Sequence, residues 1–90
     1  MAGYRLLLKP SAAKEIEGVG AKRDLQRIVR RIQDLAKDPR PPGCEKLAGG
    51  SALFRIRQGH YRIIYAVDDA RRTVDIIKVG HRREVYRGAT

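Results

Sequence analysis

The sequence predicts a small α+β domain in which two N-terminal helices pack on one side of an antiparallel-dominated sheet. Three observations predict it. Between about Ala21 and Lys37 the apolar residues Leu25, Ile28, Val29, Ile32, Leu35 and Ala36 fall on one stripe of a 3.6-residue period. From Leu53 to Val79, three short runs rich in β-branched and aromatic residues are separated by turn-length breaks. The order along the chain is strand, helix, helix, then three strands, and β-α-α-β-β-β makes one sheet with helices on one face.

Taken in order, Tyr4–Leu8 reads as a strand ended by Lys9-Pro10. Proline has no N–H for a sheet ladder but fits the first turn of a helix, so Pro10 opens a short helix to Glu17, broken by Gly18 and Gly20. The second helix follows, with Arg23, Arg27, Arg30, Arg31 and Lys37 largely off its apolar stripe. Asp38-Pro39-Arg40-Pro41-Pro42-Gly43 stops it and starts a loop. The loop is expected to run through Glu45-Lys46 to Gly49-Gly50, with Leu47 plugged into the core. In the first run of the meander Phe54 and Ile56 alternate with Arg55 and Arg57, the period-2 mark of a strand with one buried face. Gln58-Gly59-His60 breaks the chain, Tyr61–Val67 forms the second run, Asp68–Arg72 the next turn, and Thr73–Val79 the third run. A charged tail from His81 to Tyr86 follows Gly80.

Ninety residues make a single domain, 1–90, with one modest core. No apolar run reaches the roughly 20 residues that cross a bilayer, and no signal-peptide pattern opens the chain. Cys44 has no second cysteine to pair with, which suits a reducing cytosol, so the expected location is cytoplasmic. Charge narrows the function further. Twenty Lys+Arg against ten Asp+Glu give +10, and the pI near 10.5 is the footprint of a nucleic-acid binder. Fourteen of the twenty are arginine, the better bidentate ligand for phosphate. An anionic membrane surface or an acidic protein would also satisfy charge alone.

Arg55 and Arg57 share one face of their strand, where a solvated surface is the ordinary reading. Arg62 differs, because Tyr61-Arg62-Ile63-Ile64-Tyr65 is apolar on both parities and so is expected to be covered on both faces. A buried cation there needs a ligand or an internal partner, for which Asp75 and Glu84 are candidates. Lys78 adds a cation for an RNA backbone, as does Arg83, and Arg82 and Tyr86 sit where a tail can turn back over the sheet. No Cys/His set has metal-ligand spacing, Asp68 and Asp69 read as turn residues, and Gly49-Gly50 lacks a P-loop context. No nucleophilic triad is evident, and no cofactor is implied. Arginine, tyrosine and histidine suit phosphodiester cleavage of RNA without a metal. There the ribose 2′-OH attacks, cations stabilise the phosphorane, and His81 or a perturbed Tyr86 moves the proton.

These residues also form a familiar set. Lys46-Leu47-Ala48-Gly49, Phe54-Arg55-Ile56-Arg57, Gly59-His60-Tyr61-Arg62-Ile63-Ile64-Tyr65 and Val79-Gly80-His81-Arg82-Arg83-Glu84-Val85-Tyr86 resemble the RelE/ParE superfamily of bacterial and archaeal toxins. The Gly-His-Arg-Arg-Glu-Val-Tyr ending is similar to the RelE branch, whose members are ribosome-dependent mRNA endonucleases. The resemblance implies cleavage in the ribosomal A site, leaving a 2′,3′-cyclic phosphate or 3′-phosphate and a 5′-hydroxyl. It implies that Arg55 and Arg57 stand where such toxins carry a pair of lysines, that Arg62 holds the scissile phosphate, and that Arg82 is an acid or phosphate ligand. Tyr86 would stack on or activate the substrate. Arginine at 57 is a poorer base than lysine, which moves the proton work toward His81 or Tyr86. The short spacing from Gly80 to Tyr86 leaves open whether Arg82 or Arg83 meets the phosphate. A cognate RelB-like antitoxin, acidic and apolar, is the implied partner, with mRNA and the ribosome. The competing expectations are a ParE-like inhibitor of DNA gyrase and a catalytically weak cationic RNA-binding module.

Overall fold

A computed structural model of the chain describes residues 3–47 and 52–81. Its elements are β1 (Arg5–Leu8), α1 (Pro10–Glu17), α2 (Lys22–Leu35), β2 (Glu45–Lys46), β3 (Leu53–Gln58), β4 (Tyr61–Asp68) and β5 (Thr73–His81). The strands form one sheet in the order β1-β5-β4-β3-β2. β1 runs parallel to β5, from Arg5 beside Thr73 to Leu8 beside Ile76, and the remaining pairings are antiparallel. The expected α+β class and element order hold, with one addition. Glu45–Lys46, read as loop, is a two-residue strand paired with Arg55 and Phe54. Leu47 is half-buried and stands outside the core cluster; its N–H donates to Leu53 O at 2.9 Å and closes the β2–β3 pairing.

Local chemistry accounts for the helices. Lys9 is extended (φ −63°, ψ 143°), as a residue before proline must be, and Pro10 then starts α1. α2 turns Ile28, Ile32 and Leu35 inward and leaves Arg23, Arg27 and Arg30 exposed. They pack on Phe54, Ile56, Ile63, Tyr65, Val67, Val74, Ile76 and Val79, which line one face of the sheet. Gly59 holds the β3–β4 turn at φ +62°, a conformation glycine adopts without steric penalty.

One irregularity decides where the end of β5 points. Tyr65 pairs with Ile76, but Ile64 pairs with Lys78, so Ile77 is an extra residue in β5. Side chains alternate with period 2, and one inserted residue therefore flips every later side chain to the other face. Val74 and Ile76 face the helices before the bulge, and Val79 faces them after it. Strict alternation would have sent Lys78 into the core instead.

Hydrogen bonds at Tyr65, Asp69 and Asp68 fix the end of the sheet remote from Gly80. The Tyr65 hydroxyl donates to Pro39 O at 2.7 Å, and burial, with smaller help from Cys44, pushes its pKa well above 10.0. Asp69 gathers Tyr4 Oη at 2.6 Å and both terminal nitrogens of Arg40, at 3.3 and 2.7 Å. The bidentate Arg40 and then the phenol lower the carboxyl pKa below 3.8, and Asp69 in turn raises the Tyr4 pKa. Asp68 accepts from the Arg71 N–H at 3.0 Å within the β4–β5 turn. Both aspartates thus act in and around the turn, and Asp69 also ties it to the N-terminal segment and the proline-rich loop. No helix among the described residues is long and apolar enough to cross a membrane.

Candidate active site

The sheet face away from the helices carries the arginines. Arg57 lies directly across from Arg62, Arg55 across from Ile64, Ile64 across from Lys78, and Arg62 across from Gly80. Cross-strand partners share a face with Cβ atoms roughly 5 Å apart, so Arg55, Arg57, Arg62 and Lys78 are held to one surface by strand register. Gly80 adds no side chain beside Arg62.

Arg62 is the exception among the charges. It is only 8% exposed, in a strand whose residues 62–65 are all buried. Its Nη1 donates to Tyr61 O over a long 3.4 Å, and no carboxylate among the described residues reaches it or Arg57. The sequence offered Asp75 or Glu84 as its counter-charge. Asp75 pairs instead with Lys9 at 3.3 Å, and Glu84 lies outside the described residues. Like charges set directly opposite each other are destabilising, and a poorly solvated one costs more. An anion placed between Arg57 and Arg62 would relieve both penalties.

The other cations are engaged. Arg55, 18% exposed at its side chain, makes a 3.1 Å ion pair with Glu45, which β2 delivers to the rim. Sequence reading missed this partner, because a two-residue strand has no periodicity to detect. Lys78 Nζ lies 3.0 Å from Glu15 Oε2, so its ammonium is drawn to the sheet edge beside α1.

The structure sets His81, the candidate proton carrier, apart from Arg62. His81 pairs with Tyr61, which packs against the helix-side core, so the bulge at Ile77 has carried it to the opposite face from Arg62. There its ring meets Tyr61 edge-on at 6.0 Å and stacks on His60 at 6.1 Å. Arg82, Arg83 and Tyr86 lie outside the described residues. No three His, Cys, Asp or Glu side chains among the described residues gather where they could share a metal ion.

This fold and charge pattern have relatives. The family described as ParE toxin of type II toxin-antitoxin system, parDE, matches residues 6–86. Toxin RelG of Mycobacterium tuberculosis is 34% identical, over 74% of this chain and 87% of its own. Toxin RelE of the same organism is 33% identical, over 74% of this chain and 78% of its own. Among solved structures, the archaeal RelE–RelB complex from Pyrococcus horikoshii OT3 superposes with a TM-score of 0.79 at 28% identity, covering 91% of this chain and 97% of that one. The isolated E. coli RelE toxin gives 0.76 at 29% identity, covering 96% and 94%. A match running almost the length of the chain, joined to relatives above 30% identity, places this protein in the RelE/ParE superfamily, as a toxin of a type II toxin–antitoxin system.

Proposed function

We propose that the chain is a RelE-type endoribonuclease that cuts mRNA in the ribosomal A site and so stops translation. The observation that carries this reading is the Arg57–Arg62 pair, two guanidiniums set across from one another with one of them buried. A scissile phosphate between them would receive charge-assisted hydrogen bonds from both sides.

In the reaction the ribose 2′-oxygen attacks phosphorus, its proton leaves to a base, and the P–O5′ bond breaks as O5′ takes a proton. The products are a 2′,3′-cyclic phosphate and a 5′-hydroxyl. Arg57 and Arg62 counter the charge that grows on the phosphorane oxygens, a stabilisation that needs no proton transfer by the guanidiniums. Arg55 and Glu45 at the rim fix the approach of the flanking backbone. With His81 on the other face, Tyr86 is the candidate left to move a proton, and Arg82 or Arg83 adds charge or a phosphate contact. The partners in this reading are mRNA, the ribosome and a cognate RelB-like antitoxin, all in the cytoplasm. The relatives from P. horikoshii and E. coli form such RelE–RelB complexes, and a +10 toxin suits an acidic, apolar segment.

Primer-extension mapping of a translated mRNA, with and without ribosomes, tests the reading. Codon-spaced cuts that require ribosomes and vanish in Arg62→Ala and Tyr86→Phe are expected. The match to a family named for ParE keeps gyrase as the second reading. Intact mRNA together with trapped gyrase–DNA complexes would establish that one instead.

A further inference from the structure

Among the described residues, the outer edge of β5 has no strand partner beyond Leu8 and Ile76. The β1–β5 ladder closes with the Lys9 N–H on Ile76 O at 3.0 Å, and the next residue, Pro10, has no N–H and begins α1. An unpaired edge of this kind frays unless something satisfies its amides. Among the described residues, one side chain does so, at Val79. Glu15, in the last turn of α1, accepts the Val79 N–H on Oε1 at 3.0 Å and the Lys78 ammonium on Oε2 at 3.0 Å. Both side chains of the ion pair are about 30% exposed, the carboxylate at 30% and the ammonium at 29%, so solvent only partly competes.

We propose that Glu15 is a positioning residue for the phosphate site. It replaces the missing strand at the point where β5 passes Arg62 and leads into the tail. Val79 is followed by Gly80, the cross-strand neighbour of Arg62, and then by His81, where the described segment ends. Holding the Val79 amide therefore fixes the backbone beside the buried guanidinium. The same carboxylate draws the Lys78 ammonium to the edge. Catalysis is sensitive to such placement, because displacement of a reacting group by about 1 Å costs on the order of a hundredfold.

This role rests on the endoribonuclease reading, but the hydrogen bond itself does not, and one pair of measurements separates them. In Glu15→Ala, amide exchange at Val79 is expected to speed up by about tenfold or more, the scale of a lost charge-assisted hydrogen bond. The amides that β4 and β5 exchange before the bulge, such as that of Asp75 opposite Ala66, stay as they are. Single-turnover cleavage falls by about tenfold or more while mRNA affinity holds, a split expected of positioning rather than binding. Glu15→Gln keeps an oxygen for Val79 and is expected to restore both exchange protection and cleavage. Should the alanine variant not fold, Glu15→Asp retracts the same charge by one methylene and carries the same expectations. Unchanged exchange at Val79 would overturn the hydrogen bond. Faster exchange with cleavage untouched would overturn the positioning role. A wild-type protein that cuts no mRNA would defeat the endoribonuclease reading and with it the positioning role, with exchange still deciding what Glu15 holds.

Discussion

The molecule treats charge in opposite ways at two ends of its sheet. Around the β4–β5 turn each carboxylate is answered. Asp69 binds Arg40 in a bidentate pair and takes a proton donor from Tyr4, Asp68 takes the Arg71 amide, and Arg40 and Arg72 lie over the rings of Phe54 and Tyr4 at 5.4 and 5.9 Å. At the β3–β4 turn Arg57 faces Arg62, and no carboxylate among the described residues answers either. The first cluster gains stability by closing distant segments on one another. The second gives up some stability to set two guanidiniums across from each other, which in the proposed reading keeps an anion site poised.

The largest expected effect comes from removing the buried guanidinium. Arg62→Met keeps an apolar stem of similar length and deletes the charge. Cleavage should fall about 10²–10³-fold, the cost of losing one donor aimed at transition-state charge. The melting temperature should hold or rise, because the like-charge pair is relieved. A variant that loses stability along with activity would turn the comparison round and make Arg62 a structural residue.

That contrast was only half legible beforehand. The α2 stripe, the strand runs and the burial of Arg62 could be read from periodicity, because each depends on residues close in sequence. The Asp69 cluster could not, since its hydrogen bond to Tyr4 spans 65 positions. Nor could the parallel β1–β5 pairing supply its own signal, for its register is set across the whole intervening chain. The facing of His81 was hidden for a more local reason. Ile76-Ile77 reads as two apolar residues in a row, and nothing in that pair says which of them is the bulge that flips the rest of β5. Glu15 carries no motif either, as its role arises only where β1 stops short of β5.

A second test sharpens the stability end of the comparison. Tyr65→Phe removes the donor to Pro39 O and should cost about 1–3 kcal/mol in urea unfolding while leaving cleavage near wild type. Its pH dependence has a definite sign. The folded phenol has a raised pKa, so its contribution is complete below 10.0 and is lost as pH climbs through the higher folded value. The phenylalanine variant should therefore show a flatter alkaline limb. A steeper one would mean that Tyr65 is not the group titrating there.

A smaller effect tests the proposed anion site without any substrate. Inorganic phosphate at about ten times its Kd should stabilise the wild-type protein by about 1.4 kcal/mol. Arg62→Met should show little of this gain, and the Tyr65→Phe variant all of it. Equal stabilisation of wild type and Arg62→Met would place the phosphate elsewhere on this +10 surface.

The smallest expected effect is at Asp69, because its cluster is exposed and solvent screens it. Asp69→Asn should lower the melting temperature slightly and leave cleavage unchanged. The lowered carboxyl pKa contributes stability above about 3.8 that disappears as pH falls through the folded value. The raised Tyr4 pKa contributes below about 10.0 and is lost above it, when a phenolate would sit beside the carboxylate. The gap between wild type and variant should therefore be widest between these limits and close toward both, and added salt should narrow it throughout. A gap that persisted in strong acid would mean that packing at the turn, rather than the ion pair, holds this end of the sheet.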